Sequence, residues 1–268
     1  MPVLVTRAHT TLGQLTVARV LRSGGEVRAF VTGAVDVQAL RGAGAIVASG
    51  DLLDEGHLEA AMEQVHTVVH LGRGLLAPSA DLVVEEAATV LTAALGAGVQ
   101  RLITTSAPGA APGVMDRFRA ALGEVEQLFA TAPLPSVALR TSLVDTPALR
   151  DALAGVRSPA STLATEVAPV RVEDVVEALW FLDDIRATAH EGHVVLAAPG
   201  PERMSIADYL DRAGVGAPGA VGRLVGRVWR DPATQPLLAG GLPGPWVPEA
   251  EWPSVWELAG IEPQPVAA

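Results

Sequence analysis

The chain has no cysteine, no lysine and no asparagine, and Tyr209 is its single tyrosine. Without cysteine there is no disulfide framework, no thiolate nucleophile and no Cys-ligated metal site. All 19 basic side chains are therefore arginines, and they are outnumbered: the formal charge is −11. A deficit of cations argues against a nucleic-acid partner, because affinity for nucleic acid rests on neutralising phosphates. No run of about 18 uncharged apolar residues occurs, and the N-terminus lacks a basic segment followed by an apolar one. The expectation is a cytoplasmic protein with no membrane partner. Gly-x-Ser-x-Gly, His-Glu-x-x-His and P-loop signatures are absent, which leaves hydrolase and nucleotide-triphosphatase readings unsupported. His57, His66, His190 and His193 follow no metal-ligand spacing; they read as surface residues, and no metal is expected.

What is present is apolar and periodic. Hydrophobic residues make up 49% of the 268 positions and charged ones 18%, enough for a sizeable core. Short β-branched runs at residues 3–6, 26–31, 45–48, 67–71, 101–105, 136–140 and 192–197 predict strands. Stretches of helical period at 12–23, 36–42, 55–64, 79–96, 115–130 and 172–184 alternate with them. Such alternation predicts an α/β fold, a doubly wound parallel sheet between helix layers. The helix from Ser79 carries Leu82, Val83, Ala87, Val90, Leu91 and Ala94 on one stripe. The pairs Glu124 with Glu126 and Asp183 with Asp184 read as solvated helix faces. Residues 1–200 form the main domain. Residues 201–268, dense in Gly and Pro, form a C-terminal substrate-side elaboration of the same unit, in which Trp229, Trp246, Trp252 and Trp256 bury the tail against the core.

Several segments in sequence carry a family resemblance: VLVTRAHTTLG, GDLLDEGHLEAAMEQVHTVVHLG, RLITTSAPGA, LPSVALRTSLV, PVRVEDVVEALWFL and APGPERMSIADYL. Their order and spacing resemble the atypical and extended short-chain dehydrogenase/reductase superfamily over nearly the whole chain, especially its NmrA-like and NAD-dependent epimerase-like members. The resemblance implies a Rossmann-like fold, with dinucleotide contacts falling to Thr6, Arg7, Thr10, Gly13 and Asp51. It also exposes departures. Where the family reads TGxxGxxG, Arg7 and Thr10 replace two glycines and only Gly13 remains. After the second strand, Thr32-Gly33-Ala34-Val35 supplies neither a ribose-binding acid nor a phosphate-binding arginine. Phe118 and Leu122 align with the family's proton-transferring tyrosine and its lysine partner, and Tyr209 is too far downstream to substitute. Ser106 keeps the family's strand-end serine.

Arg7, His9, His70, Arg73, Ser106 and Arg140 all belong to strand ends or the turns after them, where ligands collect in parallel sheets. His9 is the candidate acid/base, since imidazole ordinarily titrates near neutrality. Ser106 is the candidate group polarising a substrate carbonyl. His70, Arg73, Phe118 and Arg140 are candidate substrate contacts, with a family-type structural role open for His70 and a loop brace open for Arg140. Arg7 either binds an anion or plugs the phosphate site by pairing with Asp51 or Asp36. The leading expectation is an enzyme performing non-redox proton transfer of isomerase, cyclase or lyase type on an apolar carbonyl compound. The lysine-free, Ala/Arg-rich composition associates it with secondary metabolism. No cofactor is favoured, and NADP is the alternative. An NmrA-like non-catalytic sensor and an NADPH-dependent reductase with an atypical site are the competing readings. The helices at 79–96 and 115–130 are the expected homodimer surface, as in the resembled family.

Overall fold

The computed structural model describes residues 2–72, 79–150, 164–185, 192–214 and 253–266. Its main chain alternates β1 (Val3–Thr6), α1 (Thr11–Arg22), β2 (Val27–Val31), α2 (Gln38–Gly42), β3 (Ile46–Ser49), α3 (Glu55–Met62), β4 (Thr67–His70), α4 (Ala80–Gly96), β5 (Arg101–Ser106), α5 (Arg117–Thr131) and β6 (Ser136–Thr141). Two-residue strands β7 (Val144–Asp145), β8 (Glu166–Val167) and β9 (Val170–Arg171) follow, then α6 (Val172–Asp184), β10 (His193–Ala198), β11 (Met204–Ser205), α7 (Ile206–Arg212) and α8 (Val255–Ala259). The predicted long elements recur with ends shifted by one or two residues. The two-residue strands are additions, since two residues show no period.

Seven strands pair in the order β3-β2-β1-β4-β5-β6-β10, all parallel. This is the Rossmann-like doubly wound sheet. Parallel strands buried on both faces require apolar residues at successive positions; Val3, Leu4 and Val5 have no exposed surface, and neither do Leu102 and Ile103. One core cluster joins the sheet to α3, α4 and α5, and a second joins it to α1, α2, α6 and α8. The strand order reverses beside β1, so a crevice opens at the carboxyl ends of β1 and β4, where such sheets take ligands.

Stripe residues Val83, Ala87, Val90, Leu91 and Ala94 of α4 are buried as expected, and Leu82 is half-buried. Four expected surface groups are not fully on the surface. Glu126 and Asp183 are buried, and His66 and His193 are half-buried, His193 Nδ1 sharing a 2.8 Å hydrogen bond with Ser136 Oγ. In the C-terminal region Trp256 is buried and donates from Nε1 to Pro199 O at 2.8 Å. Arg73, His190, Trp229, Trp246 and Trp252 lie outside the described residues.

A third, smaller cluster packs Tyr209 and Leu210 of α7 on Leu143 and Val167. Its polar anchor is Asp145. This carboxylate accepts from Arg150 through both oxygens and from the fully buried Tyr209 hydroxyl at 2.6 Å. Burial alone would raise the Asp145 pKa, but the Arg150 and Tyr209 hydrogen bonds outweigh it and hold the carboxyl below its ordinary value. A lowered carboxylate pKa contributes stability above the ordinary value, and that stability is lost as pH falls through the folded one. Tyr209→Phe should therefore cost about 1.5–3 kcal/mol in urea unfolding at neutral pH, the range for a hydrogen bond to a charged group. The difference should shrink once Asp145 is protonated; a loss that does not change with pH would place the effect in packing instead.

Candidate functional site

The crevice is built first from the turn after β1. Arg7 has φ 51°, in the left-handed region that costs an L-residue roughly 1–2 kcal/mol and that glycine adopts freely. Thr10 caps α1: its hydroxyl donates to Arg7 O at 2.9 Å and accepts from Gly13 N at 3.1 Å. A Cβ on Gly13 would stand 2.5 Å from Arg7 O, so this glycine lets the helix approach the turn. The backbone thus keeps a glycine-type path although two of the three glycines are replaced.

The Arg7 side chain does not pair with Asp51 or Asp36. Its guanidinium forms an ion pair with Glu86 of α4, both side chains being about 95% buried. Asp51 is exposed and accepts from Leu53 N at 3.0 Å, and Asp36 accepts from Gln38 N at 2.9 Å; both serve turns. Beneath Arg7, Thr6 Oγ1 accepts from Leu71 N at 3.0 Å and lies 3.3 Å from His70 Nδ1. Burial, followed by the positive charge of Arg7, pushes the His70 pKa down to about 3. His70 is a neutral core residue and is not on the cavity wall, which corrects its expected role as a substrate contact.

A cavity of about 570 Å³ spans the carboxyl ends of the strands from the β1 turn to β8. Leu71, Phe118, Leu122, Leu143, Leu149 and Val167 give it an apolar wall; His9, Thr10, Thr11, Thr105, Ser106, Asp116, Arg119 and Glu166 give it polar points. The loop over α5 is held close by Gly123, where a Cβ would come 2.3 Å from the Ala111 carbonyl carbon. Asp116 ends that loop and caps α5, accepting from Phe118 N at 3.0 Å and Arg119 N at 3.1 Å. Burial lowers the Arg119 pKa, with the Asp116 charge opposing it.

His9 and Ser106 therefore share one cavity, but Ser106 is not placed as expected. Its hydroxyl donates to Glu126 Oε1 at 2.6 Å, so the proton that would polarise a carbonyl is committed. Arg140 donates to the same carboxylate, Nε to Oε1 at 2.9 Å and Nη2 to Oε2 at 2.6 Å, and Nη2 also reaches Ala110 O at 2.7 Å. Arg140 is thus a brace behind the wall rather than a wall residue, a correction to its substrate-contact role. Sequence reasoning missed Glu86 and Glu126, yet a signal existed. Each sits inside an apolar stripe of spacing i, i+3, i+4, i+7: Val83, Glu86, Ala87, Val90 and Leu122, Val125, Glu126, Phe129. Among the described residues no cluster of His, Asp and Glu suits a metal ion, and no helix is long and apolar enough to cross a membrane.

Residues 8–142 match the protein family described as NAD(P)H-binding. The chain belongs to this family. Among solved structures it is similar to a nucleoside-diphosphate-sugar epimerase from Staphylococcus aureus, at 15% identity and TM-score 0.75, covering 99% of this chain and 98% of that one. A dTDP-glucose 4,6-dehydratase double mutant from Streptomyces venezuelae, with NAD and DAU bound, shows 18% identity and TM-score 0.71, with 99% and 92% covered. MoeE5 in complex with UDP-glucuronic acid and NAD shows 18% identity and TM-score 0.70, with 99% and 94% covered. At these identities the likeness is one of fold. No curated protein matches the chain.

Family membership calls for a test of the crevice against a dinucleotide. Thr11 and Leu12 open α1 on the cavity wall. First-turn amides of a helix have no intrahelical acceptor and favour an anion. With Arg7 drawn onto Glu86 and the turn on its glycine-type path, these amides fit a diphosphate. The earlier expectation that no cofactor is favoured finds no support in the family match or in this turn.

Two outcomes follow. Glu86→Ala should destabilise by about 3–5 kcal/mol in chemical denaturation, because it strands a buried cation; the double variant Arg7→Gly, Glu86→Leu should lose much less, and equal losses would refute the pairing. Since the folded His70 pKa lies far below its unfolded value, only the unfolded state takes up this proton as pH falls from about 6.5. Half-buried His193 is shifted in the same direction, chiefly by burial. Stability should thus drop between pH 6.5 and 5 at up to about 1.4 kcal/mol per pH unit for His70. His70→Gln should flatten the slope, which is read from denaturation midpoints across that range.

Proposed function

We propose that this protein is a small-molecule enzyme of the NAD(P)H-binding family that carries out proton transfer without net redox change, of isomerase, cyclase or lyase type, on an apolar compound held in the 570 Å³ cavity. The observation that supports this most directly is the wall itself. Phe118 and Leu122, aligned with the superfamily's tyrosine and lysine, both line the cavity, and neither side chain can accept or deliver a proton. His9, on the same wall at the entrance to α1, is the side chain assigned the acid/base role. Leu71, Leu143 and Leu149 exclude water from the bound compound and hold its apolar body.

A second reading, an NADPH-dependent reductase with an atypical site, is favoured by the turn at Arg7. Thr11 and Leu12 amides would hold the diphosphate of a nicotinamide dinucleotide there, and the group when bound supplies hydride chemistry. The chain's own contribution would be positioning by α1 and a dry cavity beside it.

The two readings separate in heavy water. Apolar 1,3-diketones incubated with the protein should gain solvent deuterium at carbon without any dinucleotide, and His9→Gln should slow this by about 10²–10⁴-fold. Consumption of NADPH with the same compounds, unaffected by His9→Gln, would overturn the first reading in favour of the second.

A further inference from the structure

We infer that Ser106 is a specificity-determining hydrogen-bond acceptor, so that the compound bound in the cavity presents a hydroxyl or N–H to it rather than a bare carbonyl oxygen. The inference deepens the proposed function and rests on the same cavity being the ligand site. It follows from a count of protons. A serine hydroxyl has one proton and two lone pairs. At Ser106 the O–H directs its proton at Glu126 Oε1 across 2.6 Å, the length of a charge-assisted O–H···O⁻ contact. Glu126 cannot return one, because a carboxylate gripped by both Arg140 Nε and Nη2 is an acceptor only.

The surroundings hold this polarity in place. Ser106, Glu126 and Arg140 are each less than 10% exposed, and the Arg140 fork is fixed from behind by Ala110 O. Turning the Ser106 proton into the cavity would give up a charge-assisted bond and leave Arg140 Nε as the remaining donor to Glu126 Oε1. The lone pairs of Ser106, which lines the cavity at the end of β5, remain for a ligand. A carbonyl or ether oxygen placed there meets another acceptor, whereas a phenol, enol, alcohol or amine finds a partner. Glu126 acts as a positioning residue: it sets which way the serine points without touching the ligand.

The test uses three probes of one shape: a naphthol, its methyl ether and the matching naphthaldehyde, with binding to the full-length protein measured by calorimetry. The naphthol should bind about tenfold more tightly than the ether, the worth of one hydrogen bond to a neutral group. Ser106→Ala should bring the three affinities together. Glu126→Gln, whose amide can donate to Ser106 Oγ and free the serine proton, should shift the preference toward the aldehyde while circular dichroism checks the fold. Equal affinities in the unaltered protein, a preference for the aldehyde, or a naphthol preference that survives Ser106→Ala would each overturn this inference and leave the cavity reading standing. If none of the probes binds, the cavity reading fails and this inference with it.

Discussion

An arginine at the turn from β1 into α1 meets two penalties at once: a left-handed backbone that an L-residue resists and a desolvated positive charge. Glu86 answers the second, and in doing so constrains what lies around it. α4 must present a carboxylate inside its apolar stripe, and His70, held neutral first by burial, is held further from protonation by the same arginine. Arg7 shares the cavity wall with Thr11 and Leu12, but its charge is paired with Glu86, so a residue that looks from the sequence like an obstruction is tied to α4. Breaking the pair would release a cation into the crevice and change its electrostatics as well as its stability.

The same device recurs along the carboxyl edge of the sheet. Arg140 grips Glu126 behind the β5 end, and Arg150 grips Asp145 beneath β7. With no lysine in the chain, each of these pairs uses the planar guanidinium fork, whose two parallel donors fit a carboxylate more rigidly than an ammonium could. Buried pairs of this kind are a poor source of net stability compared with packed apolar side chains. Their value here is placement: each one sets a residue of the cavity wall or its support, namely the turn before α1, the hydroxyl of Ser106 and the packing of α7.

Periodicity made the long elements legible. A run such as Val3-Leu4-Val5 fits a strand covered on both faces, and the 3.6-residue stripe of α4 fits a helix packed on a core. What periodicity does not contain is the identity of a partner. Glu126 looked solvated because it was judged with its neighbour Glu124 rather than with Leu122, Val125 and Phe129, which share its face. For Arg7 the sequence offers the turn carboxylates Asp36 and Asp51, whereas its partner lies 79 residues away on a helix whose packing the sequence does not contain. Ser106 was located correctly at the strand end, yet its hydrogen-bond polarity depended on Glu126 and was hidden for the same reason.

Hydride transfer to a carbonyl leaves an alkoxide that must take a proton, so a reductase needs a donor beside the reacting carbon. Of the groups on the described wall, Phe118 and Leu122 offer none, Ser106 directs its O–H at Glu126 Oε1, and Asp116 accepts from two amides of α5. Arg119 is a cation with an ordinary pKa too high for ready proton release, and Glu166 sits exposed at the rim. Under the proposed reading the proton traffic is assigned to His9, an imidazole on the described wall. A single such group suits a reaction that removes a proton from one atom and returns it to another. On that proposal this economy adds to the replacement of the tyrosine and lysine by Phe118 and Leu122, which remains the main support for isomerisation or elimination over reduction.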